Sequence, residues 1–81
     1  MKIKIKAFAS IREVLGFKEK EIEVSDRATV GDIFDSLTEN YNELKNYQYE
    51  LMFAVNDEYC SRNTALEEND IMALIPPVSG G

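Results

Sequence analysis

Ile71-Met72-Ala73-Leu74-Ile75 is apolar at five consecutive positions. A strand with that pattern has no polar side to turn toward water, so it suits the centre of a sheet, covered or flanked on both sides. Its ends are marked. Glu67-Glu68-Asn69-Asp70 precedes it, and Asn69 is a natural occupant of a left-handed turn position. Pro76-Pro77 follows it and cannot donate to a sheet ladder. A chain of 81 residues has room for a single core, so every other element must be arranged around this strand.

Those elements can be read from their spacing. Ile3, Ile5 and Ala7 alternate with Lys2, Lys4 and Lys6, the period-two pattern of a strand with one buried face. Ala9 to Gly16 accommodates a short helical turn closed by Gly16. Lys20, Ile22 and Val24 then alternate with Glu19, Glu21 and Glu23, so the first two strands form a hairpin with Lys facing Glu across it. Val30, Ile33, Phe34, Leu37 and Tyr41 gather on one side of a helix. Thr29 is its N-cap, and Asp32 and Asp35 sit near the positive end of its dipole. Asn40 to Glu50 has weak periodicity and reads as a frayed helical turn and a loop. The run Leu51 to Val55, the turn pair Asn56-Asp57 and a short strand around Tyr59 to Ser61 make a second hairpin.

Hairpin, helix, hairpin, last strand is an α+β order. A mixed sheet of order 2-1-5-3-4, with first and last strands parallel and the helix across one face, buries every apolar stripe named above. This is the β-grasp arrangement. The chain reads as one domain, residues 1–75, followed by an extended, flexible C-terminal tail, residues 76–81.

Charge narrows the partners. Nine basic against fifteen acidic residues leave −6, with no His, so a phosphate-backbone footprint is missing and nucleic acid is not an expected partner. The halves differ: net +4 through Lys20 (six basic, two acidic) and −10 thereafter (three basic, thirteen acidic). Cys60 is the only cysteine; it forms no internal disulfide and, without His, supplies no usual metal set. No apolar run approaches the roughly 20 residues of a membrane span, and the Lys-rich start is no signal peptide. A cytoplasmic protein without membrane partner or metal is expected.

The tail carries the chemistry. Six residues, Pro76-Pro77-Val78-Ser79-Gly80-Gly81, reach roughly 20 Å at about 3.3 Å each, enough to thread the active site of another protein. Gly80 and Gly81 lack Cβ atoms, so a narrow channel can close around them and the terminal carboxylate is open to attack. That carboxylate is ionised at neutral pH and electrophilically poor; adenylation by ATP would activate it for a sulfur or amine nucleophile. No phosphate-cradling Gly-rich loop exists in this sequence, so the ATP site belongs on a partner and the chain itself binds no cofactor.

At these residues the sequence resembles a family. Phe8-Ala9-Ser10-Ile11-Arg12-Glu13 with Leu15-Gly16, Ala28-Thr29-Val30, Ala54-Val55-Asn56 and Ala73-Leu74-Ile75-Pro76-Pro77-Val78-Ser79-Gly80-Gly81 are similar to the MoaD family, the small sulfur-carrying subunits of molybdopterin synthase. Gly-Gly is shared with ubiquitin and other sulfur carriers, whereas Pro-Pro-Val-Ser-Gly-Gly is typical of the molybdopterin branch. Asn69 stands where the family usually has Gly, a change that a positive φ tolerates. The resemblance implies that the Gly81 carboxylate is adenylated by an E1-like adenylating enzyme and converted to a thiocarboxylate with a sulfur donor. It also implies insertion into the large catalytic subunit of the synthase, in a heterotetramer. There sulfur passes to cyclic pyranopterin monophosphate, so this chain is a donor subunit and the active site lies on the large one.

The remaining residues are weighed against blander roles. Phe8 falls on the Lys face of the first strand and should be more exposed than Ile5. With Tyr59 on a short edge strand and Ile75 at the root of the tail, it is expected to form a docking patch, because the family docks a larger partner around the tail. Cys60 is read as a small apolar residue, and Arg12 with Glu13 as a local surface pair without chemistry. Two alternatives stay open: a related carrier for thiamin or tRNA thiolation, or a protein modifier forming isopeptides through Gly81, and a pure binding module with an inert tail.

Overall fold

The computed structural model describes residues 1–77. Strand β1 (Lys2–Ala7) is followed by a short helix α1 (Ser10–Leu15) and strand β2 (Glu19–Glu23). Then come the main helix α2 (Val30–Asn40), a 3₁₀ helix (Asn42–Tyr47), and strands β3 (Met52–Val55), β4 (Glu58–Cys60) and β5 (Ile71–Ile75). The sheet order is β2-β1-β5-β3-β4, with β1 and β5 parallel and every other pair antiparallel. It is the ubiquitin-like β-grasp fold.

Local chemistry explains the ends of these elements. Thr29 and Asp32 form a reciprocal capping box: the Asp32 N–H donates to Thr29 Oγ1 at 3.1 Å, and the Thr29 N–H donates to Asp32 Oδ2 at 3.0 Å. Gly16 closes α1 at φ 82°. Asn56 and Asp57 both hold positive φ, 51° and 70°, as a two-residue hairpin with the twist of its strands requires. Asn69 sits at φ 69° before β5, as its sequence position predicts.

The register sorts side chains onto two faces. Ile3 pairs with Ile22, Ile5 with Met72, Ala7 with Leu74, and Phe53 with Leu74, so these share the face that α2 covers. Phe34 of α2 meets Phe53 edge-to-face at a centroid distance of 5.4 Å. Ile5, Met72 and Leu74 are fully buried there.

Four expectations need correction. The last strand is central and flanked on both sides, but the arrangement does not bury every apolar stripe: Met72 and Leu74 are buried, whereas Ile71 is exposed and Ala73 and Ile75 are half-buried. One long helix spans one face of a sheet, and the described residues hold no second layer for the other. Asn40 to Glu50 is more ordered than its periodicity suggests; its 3₁₀ helix buries Leu44 completely, because i, i+3 turns do not produce the 3.6-residue signal. The short strand is Glu58–Cys60, one residue earlier than read, because the two-residue turn starts β4 immediately. Among the described ion pairs none joins Arg12 to Glu13; Arg12 folds back onto the end of β1.

Candidate functional site

The point where the chain leaves the sheet is fixed from both sides. Strand β5 is hydrogen-bonded to β1 and to β3; Leu74 is paired on both sides, with Ala7 and Phe53, and Ile75 with Met52 of β3. Pro76 is buried and Pro77 is exposed. Val78, Ser79, Gly80 and Gly81, which carry the tail-threading and chemical roles expected from sequence, lie outside the described residues.

The other end of β5 is held by a polar clamp. Asp70 is buried, and its carboxylate accepts from Asn56 Nδ2 at 2.9 Å and from the Glu67 N–H at 2.7 Å. Asn56 Oδ1 in turn accepts from the Ile71 N–H at 3.0 Å. Both oxygens of the buried carboxylate are satisfied, the condition under which a polar group in a core is tolerated. The clamp joins the β3–β4 turn to the start of the central strand and so fixes where that strand begins.

The face of the sheet away from α2 divides into two halves. On β1 and β2 the register sets Lys2, Lys4 and Lys6 opposite Glu23, Glu21 and Glu19, and the ion pair within reach runs diagonally, Lys4 to Glu19 at 3.6 Å. On β5, β3 and β4 the same face is apolar: Ile75 pairs with Met52, Ala73 with Ala54, and Ala54 with Tyr59. Met52 is 48% and Tyr59 68% exposed. A groove of about 310 Å³ runs beside this edge, lined by Leu51, Met52, Phe53, Tyr59 and Cys60 among others.

Of the docking residues expected from sequence, Ile75 and Tyr59 lie on this apolar half, and Phe8 stands one residue beyond the Ala7–Leu74 pairing, beside the tail root. Phe8 is half-buried while Ile5 is fully buried. Tyr59 is three strands from Phe8, about 14 Å at the usual strand spacing. The structure adds Met52, Ala73 and Ile71 to the same face. Sequence reading missed them because an unbroken apolar run carries no alternation to show which members face outward. Cys60 is half-buried and packs against the core from β4. Among the described residues no helix is long and apolar enough to cross a membrane.

A single helix over a mixed sheet of order 2-1-5-3-4, ending in a central strand that runs straight into the C-terminal segment, defines the ubiquitin-like class of small β-grasp proteins. The chain belongs to the ThiS family, which it matches over residues 5–81. A molybdopterin synthase sulfur carrier subunit from Chlamydomonas reinhardtii is 36% identical over the full length of both chains. Small archaeal modifier protein 3 from Haloferax volcanii is 35% identical, again over all of both. Among solved structures, molybdopterin converting factor subunit 1 from Pyrococcus furiosus superposes with a TM-score of 0.85 at 30% identity, covering 96% of this chain and 99% of that one.

Proposed function

We propose that this protein is the sulfur carrier subunit of a molybdopterin synthase. The observation that carries the reading is the Pro76-Pro77-Val78-Ser79-Gly80-Gly81 terminus placed directly after the central strand of a ThiS-family β-grasp domain. The Chlamydomonas relative, named for that role, supports it over the whole chain.

The chemistry follows from the terminus. A Gly81 carboxylate oxygen attacks the α-phosphorus of ATP on an E1-like adenylating enzyme, and pyrophosphate leaves. A sulfur nucleophile at the oxidation level of hydrosulfide then adds to the acyl carbon and AMP departs, leaving a thiocarboxylate. That group is a soft, ionised nucleophile. Carried into the large catalytic subunit, it donates sulfur to cyclic pyranopterin monophosphate, and two such deliveries complete the dithiolene. The slender Gly-Gly end suits a closed site from which water is excluded, and the apolar half of the open sheet face, with Phe8, Tyr59 and Ile75, suits a surface that the large subunit covers.

The test is mass spectrometry of the intact chain and of its C-terminal peptide after incubation with ATP, the adenylating enzyme and a sulfur source. Replacement of one oxygen by sulfur at Gly81 is expected, and deletion of Gly81 should abolish both it and product formation with the fold intact. An unmodified terminus in the presence of an enzyme active on other carriers would refute the reading. The Haloferax relative, named a modifier, favours a second reading in which Gly81 forms isopeptides with lysines; the same incubation with acceptor proteins tests it through the appearance of branched peptides.

A further inference from the structure

Among the described residues the five-stranded sheet has two free edges, β2 and β4. Strand β4 is three residues long, whereas β2 runs for five, Glu19–Glu23, with Glu19, Lys20, Glu21 and Glu23 exposed and Ile22 half-buried. The direction of its backbone groups follows from its pairing with β1. The Ala7 N–H donates to Lys18 O and the Val24 N–H to Met1 O, each at 2.8 Å. Both pairs belong to one antiparallel register, in which hydrogen-bonded pairs alternate with open ones. Lys20 and Ile22 therefore direct their N–H and C=O groups at β1, and Glu19, Glu21 and Glu23 turn theirs outward.

The same three residues carry their carboxylates on the face away from α2, opposite Lys6, Lys4 and Lys2. One strip of chain thus offers outward-facing peptide units and a negative charge at every second position. A second copy of the chain fits it poorly. Antiparallel pairing of two β2 strands about Glu21 sets Glu21 against Glu21 and Glu19 against Glu23, and like charges directly opposite one another destabilise a sheet. Charged rows of this kind are how a sheet refuses edge-to-edge association with itself. A strand of opposite charge meets the reverse situation, and β1 shows the pattern that β2 accepts: Lys2, Lys4 and Lys6 opposite the glutamates, Ile3 opposite Ile22. Lys20, the one cation of β2, lies on the other face with its ammonium 5.7 Å from the centre of the Phe17 ring, away from the carboxylate row.

We propose that the free edge of β2 takes an extended segment of a partner protein with Lys or Arg at every second position and small apolar residues between, added as a further antiparallel strand. Each basic residue then sits in a hydrogen-bonded pair with a glutamate, its Cα about 5.5 Å away and its side chain on the same face. The residue between two such pairs lies beside Ile22. Backbone bonds supply attachment that is indifferent to side chains, and the alternating charges select the segment and its register. The edge lies two strands, about 10 Å, from β5. A partner tethered there leaves Ile75 and the root of the tail uncovered, and the tether does not depend on the carrier reading.

The test is titration of the full chain with a synthetic peptide of alternating Lys and Val, followed by chemical shifts and amide exchange. Slowed exchange of the Glu19, Glu21 and Glu23 N–H groups is expected, with binding that weakens as salt rises. A peptide of alternating Glu and Val should not bind. N-methylation of the Lys amides keeps the charge of the first peptide and removes its ladder donors, and it should cost roughly tenfold in affinity. Glu19→Gln with Glu21→Gln, at two exposed positions, should weaken the Lys and Val peptide roughly tenfold and flatten the salt dependence. Absence of binding by that peptide to the wild-type chain overturns the proposal. Equal affinity of its N-methylated form overturns it too, since charge attraction alone would then account for the contact. Protection of the three amides that grows with the concentration of the chain alone assigns the edge to a second copy and overturns it likewise.

Discussion

On the helix side of the sheet Ile3, Ile5, Met72 and Leu74 keep 1% or less of their surface, whereas on the other side Ile71, Met52 and Tyr59 keep 37%, 48% and 68%. These residues come from neighbouring strands of one sheet, and two of them, Ile71 and Met72, are adjacent in sequence. Met72 and Ile71 differ only in which way the pleat turns them. The difference teaches that burial in so small a chain is rationed by cover: one long helix protects one face. The face without cover is half Lys and Glu, which water satisfies, and half apolar, which water does not.

The comparison can be broken from either side, and the largest effect should come from the covered one. Phe34→Ala removes a buried ring that meets Phe53 edge-to-face, and it should cost about 3–5 kcal/mol in denaturant unfolding. Asp70→Ala leaves Asn56 and the Glu67 N–H without their acceptor. A loss of about 1–3 kcal/mol is expected by the same measurement. Thr29→Ala opens the capping box of α2 and should cost about 1 kcal/mol, with helix fraying visible in amide exchange at Asp32. Met52→Ser, on the open face, should change stability by less than about 0.5 kcal/mol. On the proposed carrier reading, its effect should appear in affinity for the large subunit. If Met52→Ser destabilised the isolated chain as Phe34→Ala does, the two faces would not differ in the way described.

Much of this was legible before any coordinates. The Lys/Ile alternation of β1, the Thr29 cap, the Asn56-Asp57 turn and Asn69 at positive φ each rest on one or two neighbouring residues, and such local rules survive in the fold. The parallel pairing of β1 with β5 followed from asking which sheet order gives the apolar stripes cover. The 3₁₀ helix around Leu44 did not show, because its repeat falls between the two periods that sequence patterns reveal. Arg12 was equally hidden. Its neighbour Glu13 offers an obvious partner, and only the turn at Ala9 carries the guanidinium back to the Ala7 carbonyl and the Phe8 ring.

The sequence by itself determined the strands and the main helix, their order and the sheet that satisfies them, because each depends on residue type and short-range spacing. Tertiary structure alone decided which of five consecutive apolar residues in β5 faces the core, which lysine of β1 finds a carboxylate, and how Asp70 ties the β3–β4 turn to the central strand. Those are questions of register and cover. They join residues far apart in the chain, and no local pattern encodes a distance that exists only once the strands have paired.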